Sequence, residues 1–286
     1  MKWSNIKELL MHILFFLTAC VSIFAVVLIC VFLFANGIPA IGKIGVFKFL
    51  LGTKWKPGND IYGILPMILG SLYVTAGAIL IGVPIGVLTA VFMAKFCPKS
   101  VYRILKPAVN LLAGIPSVVY GFFGLVVIVP MIRDLFAGAR GKSLLAASIL
   151  LGIMILPTII SVSEAAIRAV PDSYYEAGRA LGASHERSVF FAVLPAARSG
   201  IMSSIVLGVG RAVGETMAVV MVAGNQPIVP NSLLQGVRTM TANIVLEMGY
   251  AADLHRGALI ATAVVLFVFI LLINLLFSLL KRRRAQ

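Results

Sequence analysis

The chain has 286 residues, a formal net charge of +14, 60% hydrophobic and only 12% charged residues, and a mean hydropathy of +1.06. A soluble domain is about 45–50% apolar and about 25% charged, so this composition excludes an ordinary soluble enzyme, and it excludes a disordered chain, which needs low hydrophobicity. The basic excess fits lysines and arginines flanking membrane spans better than a nucleic-acid surface. The three cysteines, Cys20, Cys30 and Cys97, make neither a disulfide framework nor a CxxC metal pair.

A membrane-crossing helix needs about 20 mainly apolar residues. In chain order, five stretches contain no Asp, Glu, Lys or Arg: Leu9 to Gly42, Ile61 to Ala94, Pro107 to Ile132, Ser143 to Ser163, and Gly257 to Leu280. A sixth, Ile201 to Asn225, is interrupted by Arg211 and Glu215. All six are read as helices, because an open strand in lipid leaves its backbone groups unsatisfied; a barrel would show alternating segments of about 10 residues, which are absent here. The predicted architecture is an all-α, polytopic membrane protein of six transmembrane helices. Residues 1–60 form the first helix and an outer loop, and residues 61–286 form a core of five further helices with a cytoplasmic loop over about 164–199. Leu17-Thr18-Ala19-Cys20 looks like a lipoprotein cleavage box, but the apolar run continues to Phe34, well past a signal core of about 7–15 residues, so a retained helix is expected.

Glycine and proline punctuate the second and third runs. Gly63, Gly70, Gly77, Gly82 and Gly86 are expected to let helices approach closely, and Pro66 and Pro84 to mark bends. Whether this second span is one long helix or a broken one is open from sequence. The loop after the fourth run reads as two short helices. Pro171 suits a first helical position with Asp172 in the first turn. Gly182 interrupts, Ser184 caps a second helix with Glu186 near its start, and Leu194-Pro195 is expected to end it. Tyr174, Gly178 and Leu181 share a face at helical spacing, beside Ala177. The unit is either a helix lying at the membrane interface or a docking knob, where the small Ala177, Gly178 and Gly182 allow a partner's backbone to come close.

Glu176-Ala177-Gly178, Gly182, Ala192 and Leu194-Pro195, in that spacing, resemble the EAA motif of ATP-binding-cassette importer permeases, with Gly178 and Ala192 standing where the family usually has alanine and isoleucine. In that family the loop is the coupling helix that seats in the ATPase subunit. The resemblance assigns this role to Glu176, Ala177, Gly178, Gly182, Leu194 and Pro195.

Arg211 and Glu215 carry the most information, because a charge inside a span costs about 2.5–3.5 kcal/mol on insertion scales. Four residues apart on a helix, they face the same way and can pair. The pair either holds one helix to another or faces a polar pathway, where the planar guanidinium fork matches phosphate oxygens and Glu215 sets its geometry or accepts from a protonated oxyanion. Gly210 to Val219, with Glu215-Thr216-Met217-Ala218, followed by Ala223-Gly224-Asn225, closely resembles the permeases of phosphate importers, and the PstC-type family rather than the PstA-type. Gly114-Ile115-Pro116-Ser117 and Tyr120-Gly121 are similar to the same family, and the resemblance spans about residues 60–280. It implies the MetI-like permease fold and a substrate pathway at Arg211, Glu215 and Thr216. It also implies a second permease (PstA-type), a pair of cytoplasmic ATPase subunits (PstB-type) and an outer phosphate-binding protein (PstS-type), in a bacterial or archaeal inner membrane.

The chain has no GxxxxGK[ST] loop, so it is expected to be a transport subunit and not an enzyme, without cofactor, metal or nucleic-acid partner. Rival readings are a permease for sulfate or molybdate and a stand-alone anion channel or carrier; an intramembrane enzyme has no HExxH motif to support it. His12, His185 and His255 read as ordinary surface or interface residues. With six spans both termini share a side. That side holds fourteen basic residues, from Lys2 and Lys7 to the Lys281–Arg284 cluster, against nine on the other. The positive-inside rule places it in the cytoplasm. A cysteine at position 284 is expected to react with an impermeant thiol reagent only from the cytoplasmic side, and one near Lys54 only from outside; labelling of both from one side sinks this topology.

Overall fold

The computed structural model describes residues 3–136, 138 and 140–283. Lys2 and Arg284, both assigned above to the cytoplasmic side, lie outside them. In chain order the elements are α1 (Trp3–Ile44), α2 (Val46–Leu51), β1 (Trp55–Lys56), β2 (Ile61–Tyr62), α3 (Leu65–Val91), α4 (Lys99–Gly114), α5 (Ser117–Phe123), α6 (Val129–Leu135), α7 (Leu144–Arg168), α8 (Asp172–Ala180), α9 (His185–Ser188), α10 (Leu194–Gly214), α11 (Met217–Val222), α12 (Met240–Glu247) and α13 (Asp253–Arg283). Three π-helical turns, Phe92–Phe96, Gly124–Ile128 and Val189–Val193, extend or join these helices. The strands make one small antiparallel hairpin, pairing Trp55 with Tyr62 and Lys56 with Ile61.

Among the described residues, six helical rods are long and apolar enough to cross a membrane: Lys7–Ile44, Leu65–Phe96, Ser117–Leu135, Leu144–Arg168, His185–Gly214 and Asp253–Leu276. Two, the third and the fifth, differ most from the runs read in the sequence. The third expected run divides at Ile115. Pro116 pushes the preceding residue out of the helical region, and Ile115 is extended at φ −69°, ψ 126°. Pro107 to Gly114 therefore finish α4, whose Lys99, Arg103 and Lys106 keep it outside the spans, and the crossing begins at Ser117. The fifth crossing starts at His185 instead of Ile201 and stops at Gly214 instead of Asn225. Leu194-Pro195 does not end a helix; it opens α10, and the π-helical turn before it takes the Leu194 N–H to the Val189 carbonyl. Such a turn shifts the hydrogen-bond ladder by one residue, which lets the rod run through a proline that supplies no N–H.

The second span is one continuous helix despite Pro84. It packs most extensively on α7, and α7 packs in turn on α10. The glycines of α3 make the seam: a Cβ at Gly82 would lie 2.7 Å from Ile155 Cγ1, and one at Gly86 would lie 2.8 Å from Ile159 Cγ2. Lipid gives helices no hydrophobic drive to associate, so close backbone approach supplies the contact area. The core around this seam holds Leu150, Leu151, Met154, Ile155 and Ile159, all buried. α1 lies along α13, with most of its apolar residues from Leu9 to Phe32 exposed at the perimeter.

Candidate functional site

Arg211 and Glu215 are not on one helical face. α10 ends at Gly214, and Glu215 is extended at φ −67°, ψ 134°, so the two side chains diverge and form no ion pair among the described residues. The expected pairing is therefore replaced by two separate roles. Glu215 Oε1 accepts the backbone N–H of Thr216 at 3.1 Å and of Ala218 at 3.2 Å, covering donors that the restart of the helix at α11 leaves open. The Thr216 hydroxyl donates to the Gly214 carbonyl at 3.2 Å, and the Thr241 hydroxyl donates to the Glu215 carbonyl at 3.1 Å. Four of the backbone groups at the break, the N–H groups of Thr216 and Ala218 and the carbonyls of Gly214 and Glu215, are thus met by side chains, in keeping with the need to satisfy non-helical backbone within a membrane protein.

Arg211 sits in the last turn of α10, where the helix dipole favours a cation. Its Nη1 donates to the Thr158 hydroxyl of α7 at 3.3 Å, and its charge reaches the Tyr120 phenol of α5, which itself donates to the Leu112 carbonyl at 2.9 Å. The half-buried guanidinium has five N–H donors, and among the described residues Thr158 is its side-chain hydrogen-bond partner and no carboxylate pairs with it. Thr158 and Tyr120 were not singled out in the sequence: each lies mid-span among apolar residues, and their meeting depends on how α5, α7 and α10 pack.

The EAA-like residues fall on α8, α9 and their junction. Pro171 is the N-cap of α8, not its first residue, and Asp172 begins the helix. Gly182 has φ +79°, and the Ala183 N–H bonds the Gly178 carbonyl while the Gly182 N–H bonds the Arg179 carbonyl. This is a Schellman cap, in which glycine is favoured because a Cβ strains the left-handed conformation. Space around Gly182 is open, whereas a Cβ at Gly178 would lie 2.8 Å from Ser188 Oγ. Gly182 thus serves the turn and Gly178 the α8–α9 contact within the unit, in addition to the partner's approach expected of them. Glu176, Ala177 and Leu181 remain exposed. Ser184 caps α9, accepting the Arg187 N–H at 3.3 Å, and Leu194 and Pro195 lie further on, at the start of α10.

His185 fastens this unit to the end of the second span. Its Nδ1 pairs with the Tyr175 hydroxyl at 2.8 Å, its Nε2 lies 3.1 Å from the Lys95 carbonyl, and its ring meets Phe96 edge-on. Glu164, read as the start of the loop, is a buried member of α7. It is bound by Lys106 at 2.7 Å and by Arg168 at 2.8 Å, while Arg168 also donates to the Met93 carbonyl. Tyr102 donates to Glu164 at 2.7 Å, and that bond, with burial, raises the tyrosine's pKa. Arg168 thus belongs to a clamp joining the π-helical turn Phe92–Phe96 at the end of the second span to α4 and α7.

A second buried carboxylate organises the opposite end. Glu247 accepts from Arg238 at 2.6 Å, from Trp55 Nε1 at 2.8 Å and from His255 Nε2 at 2.8 Å. The His255 ring stacks on Tyr62, whose hydroxyl is pushed up to about 12 by burial and by its bond to Asp60. His255 is accordingly a half-buried anchor that ties α13 to Glu247. No periodicity marks this cluster, because its members come from 55, 62, 238, 247 and 255 and meet only in the folded chain.

Helical rods around a polar break, with a helical unit between the fourth and fifth crossings, define a permease-type membrane transport subunit. In agreement, the chain superposes on a subunit of the inward-facing MetNI methionine ABC transporter with a TM-score of 0.64 at 21% identity, covering 82% of this chain and 100% of that one. Residues 82–286 match the family described as Binding-protein-dependent transport system inner membrane component, and the chain belongs to that family, one of ABC importer permease subunits and not of enzymes. It is 40% identical to the probable ABC transporter permease protein YqgH of Bacillus subtilis, over 91% of this chain and 88% of that one. It is 36% identical to the phosphate transport system permease protein PstC of Mesorhizobium japonicum, over 86% and 81% respectively.

Breaking a buried ion pair by removing one partner typically costs about 3–5 kcal/mol. Glu247→Ala is expected to destabilise the detergent-solubilised protein by about that amount, seen as a lowered thermal midpoint, whereas an exposed carboxylate such as Glu176→Ala leaves it within about 0.5 kcal/mol.

Proposed function

We propose that the chain is the membrane permease subunit of an ATP-driven importer of inorganic phosphate. The observation that carries this is Arg211: an arginine held in place by Thr158 at a break in a membrane helix, with no carboxylate among the described residues to neutralise it. A structural arginine would be paired, as Arg238 and Arg168 are. Its planar donors match phosphate oxygens two at a time. Glu215 has one oxygen committed to the α11 N-terminus, and its second oxygen makes no hydrogen bond within the described residues. That oxygen is left to accept from a phosphate that still carries a proton. Sulfate is fully ionised at neutral pH and has no hydrogen to offer, so the same site disfavours it. Relatives named as phosphate transport permeases support this substrate.

In this reading the first 60 residues add a helix and an outer loop to a core beginning near residue 61, and both termini face the cytoplasm. The chain works beside a second, PstA-type permease, a PstB-type ATPase pair and a PstS-type phosphate-binding protein. The α8–α9 unit takes the push of the ATPases through Glu176, Ala177 and Gly178. The rod from His185 to Gly214 then spans about 45 Å without interruption and carries Arg211 in its last turn. A displacement of the unit is delivered along this rod to the break, reorienting the guanidinium from one side of the membrane to the other.

Uptake of labelled phosphate by the reconstituted complex, with sulfate as competitor, tests the assignment. Arg211→Met is expected to abolish uptake while the complex still assembles, and Arg211→Lys to restore it only in part, because the charge returns without the planar fork. Retained uptake in Arg211→Met at normal expression leaves the arginine as structural glue. The coupling unit is tested separately. Gly182→Leu forces a branched side chain into the left-handed region, at about 1–2 kcal/mol, and is expected to reduce copurification of the ATPase; Gly182→Asn, which tolerates that conformation, retains it. Equal loss in both variants contradicts the turn as the cause.

A further inference from the structure

The segment that enters α7 and the segment that leaves α11 close over the same end of the bundle. The N–H groups of Ser143, Leu144 and Leu145 bond the carbonyls of Val222, Gln235 and Leu233 at 2.9–3.0 Å, and Gly224 bridges to Val237. Between them lies a cavity of about 470 Å³ lined by Arg140, Lys142, Gln226, Ser232, Gln235 and neighbouring glycines, within the size range of small-ligand sites. No acidic residue lines it among the described residues. Arg140 and Lys142 are exposed and make no ion pair or side-chain hydrogen bond among the described residues. Gln235 Oε1 is occupied by the Asn231 N–H at 2.9 Å, which leaves its amide nitrogen to donate, and Ser232 Oγ accepts the Leu234 N–H at 3.3 Å, which leaves its hydroxyl hydrogen to donate. Two unpaired cations and neutral donors thus converge on one space, beside the positive end of the 25-residue α7.

We propose that this cavity is a second oxyanion site, which receives a phosphate group at the outer mouth before it passes to Arg211. The identity of the ligand and the outer placement rest on the reading under Proposed function. The site is distinct from the one at Arg211. Thr158, which holds that arginine, lies fourteen residues beyond Leu144 along α7, about 21 Å by helical rise. The path between them is short in sequence, since α11 leads from the Glu215 break directly to Gln226. A cleft lined by one sign of charge raises the local concentration of its counter-ion and speeds capture by about 10-fold or more, which suits a station between a binding protein and a deeper site.

The test uses the full complex with its binding protein in vesicles. Arg140→Gln combined with Lys142→Gln is expected to raise the concentration of phosphate-loaded binding protein needed for half-maximal uptake by about 10-fold, with subunit assembly and substrate-free ATP turnover unchanged. Arg140→Lys combined with Lys142→Arg is expected to stay close to wild type. The phosphate group could be free or belong to a lipid headgroup, so the measurement is repeated in bilayers of phosphate-free glycolipid. A deficit that persists there supports free phosphate, and one that disappears there overturns it. Unaltered uptake in the neutralised variant overturns the inference and leaves the Arg211 reading standing. A deficit accounted for wholly by weaker association of the binding protein overturns it as well, making the cations a docking surface. Absence of phosphate uptake by the wild-type complex overturns both readings together.

Discussion

A helix inside a bilayer can stop only where other protein groups take over its hydrogen bonds, and the organisation of this chain follows from how it meets that condition between Gly214 and Met217. The break uses Glu215, Thr216 and Thr241 to satisfy the freed backbone. In doing so it commits one carboxylate oxygen of Glu215 to structure and turns the side chain away from Arg211. The arginine is thereby left charged and short of partners at the end of a rod that crosses the membrane. Had the helix continued, residues four apart would have faced one another and neutralised. The break is what keeps the cation from becoming half of a buried ion pair.

The same condition governs the proline at position 195. A proline within a helix removes a hydrogen bond and crowds the preceding turn, yet the fifth rod runs through it because the π-helical turn at Val189–Val193 absorbs the mismatch. The helical unit between the fourth and fifth crossings is therefore joined stiffly to the pathway. On its other side the unit is tied to the second span through His185, Tyr175 and Phe96. That span is locked by its glycine seam to α7, the helix that carries Thr158. Both partners of the Arg211 hydrogen bond thus stand on elements that connect mechanically to the same α8–α9 unit.

Charges near the bundle sort into two kinds by their partners. Glu164 and Glu247 are buried and saturated, each receiving cations and neutral donors from distant parts of the chain. Removing a partner from such a cluster strands a charge in a poor solvent, which makes these clusters clamps at the two ends of the bundle. Among the described residues Arg211, Arg140 and Lys142 have no carboxylate partner, and each borders polar space: the break in one case and the lined cavity in the other.

Much was decided by the sequence alone. Apolar run length and the scarcity of charge are one-dimensional quantities that lipid reads directly, so six crossings follow from counting, and cap chemistry at Ser184 and Gly182 is local enough to place the two short helices. The spacing of Glu176, Gly182 and Leu194-Pro195 and the stretch around Arg211 pointed to the permease family for the same reason, since each motif lies within one continuous segment. Tertiary structure decided what depends on neighbours. It set the true ends of the third and fifth crossings, because Ile115-Pro116 and Glu215 can end a helix or continue it according to what takes up their hydrogen bonds. It separated Arg211 from Glu215 and brought Thr158 and Tyr120 to the arginine. It assembled the Glu247 cluster from residues up to 200 positions apart, an arrangement with no periodicity to read, because a buried polar network is specified by packing in three dimensions and not by order along the chain.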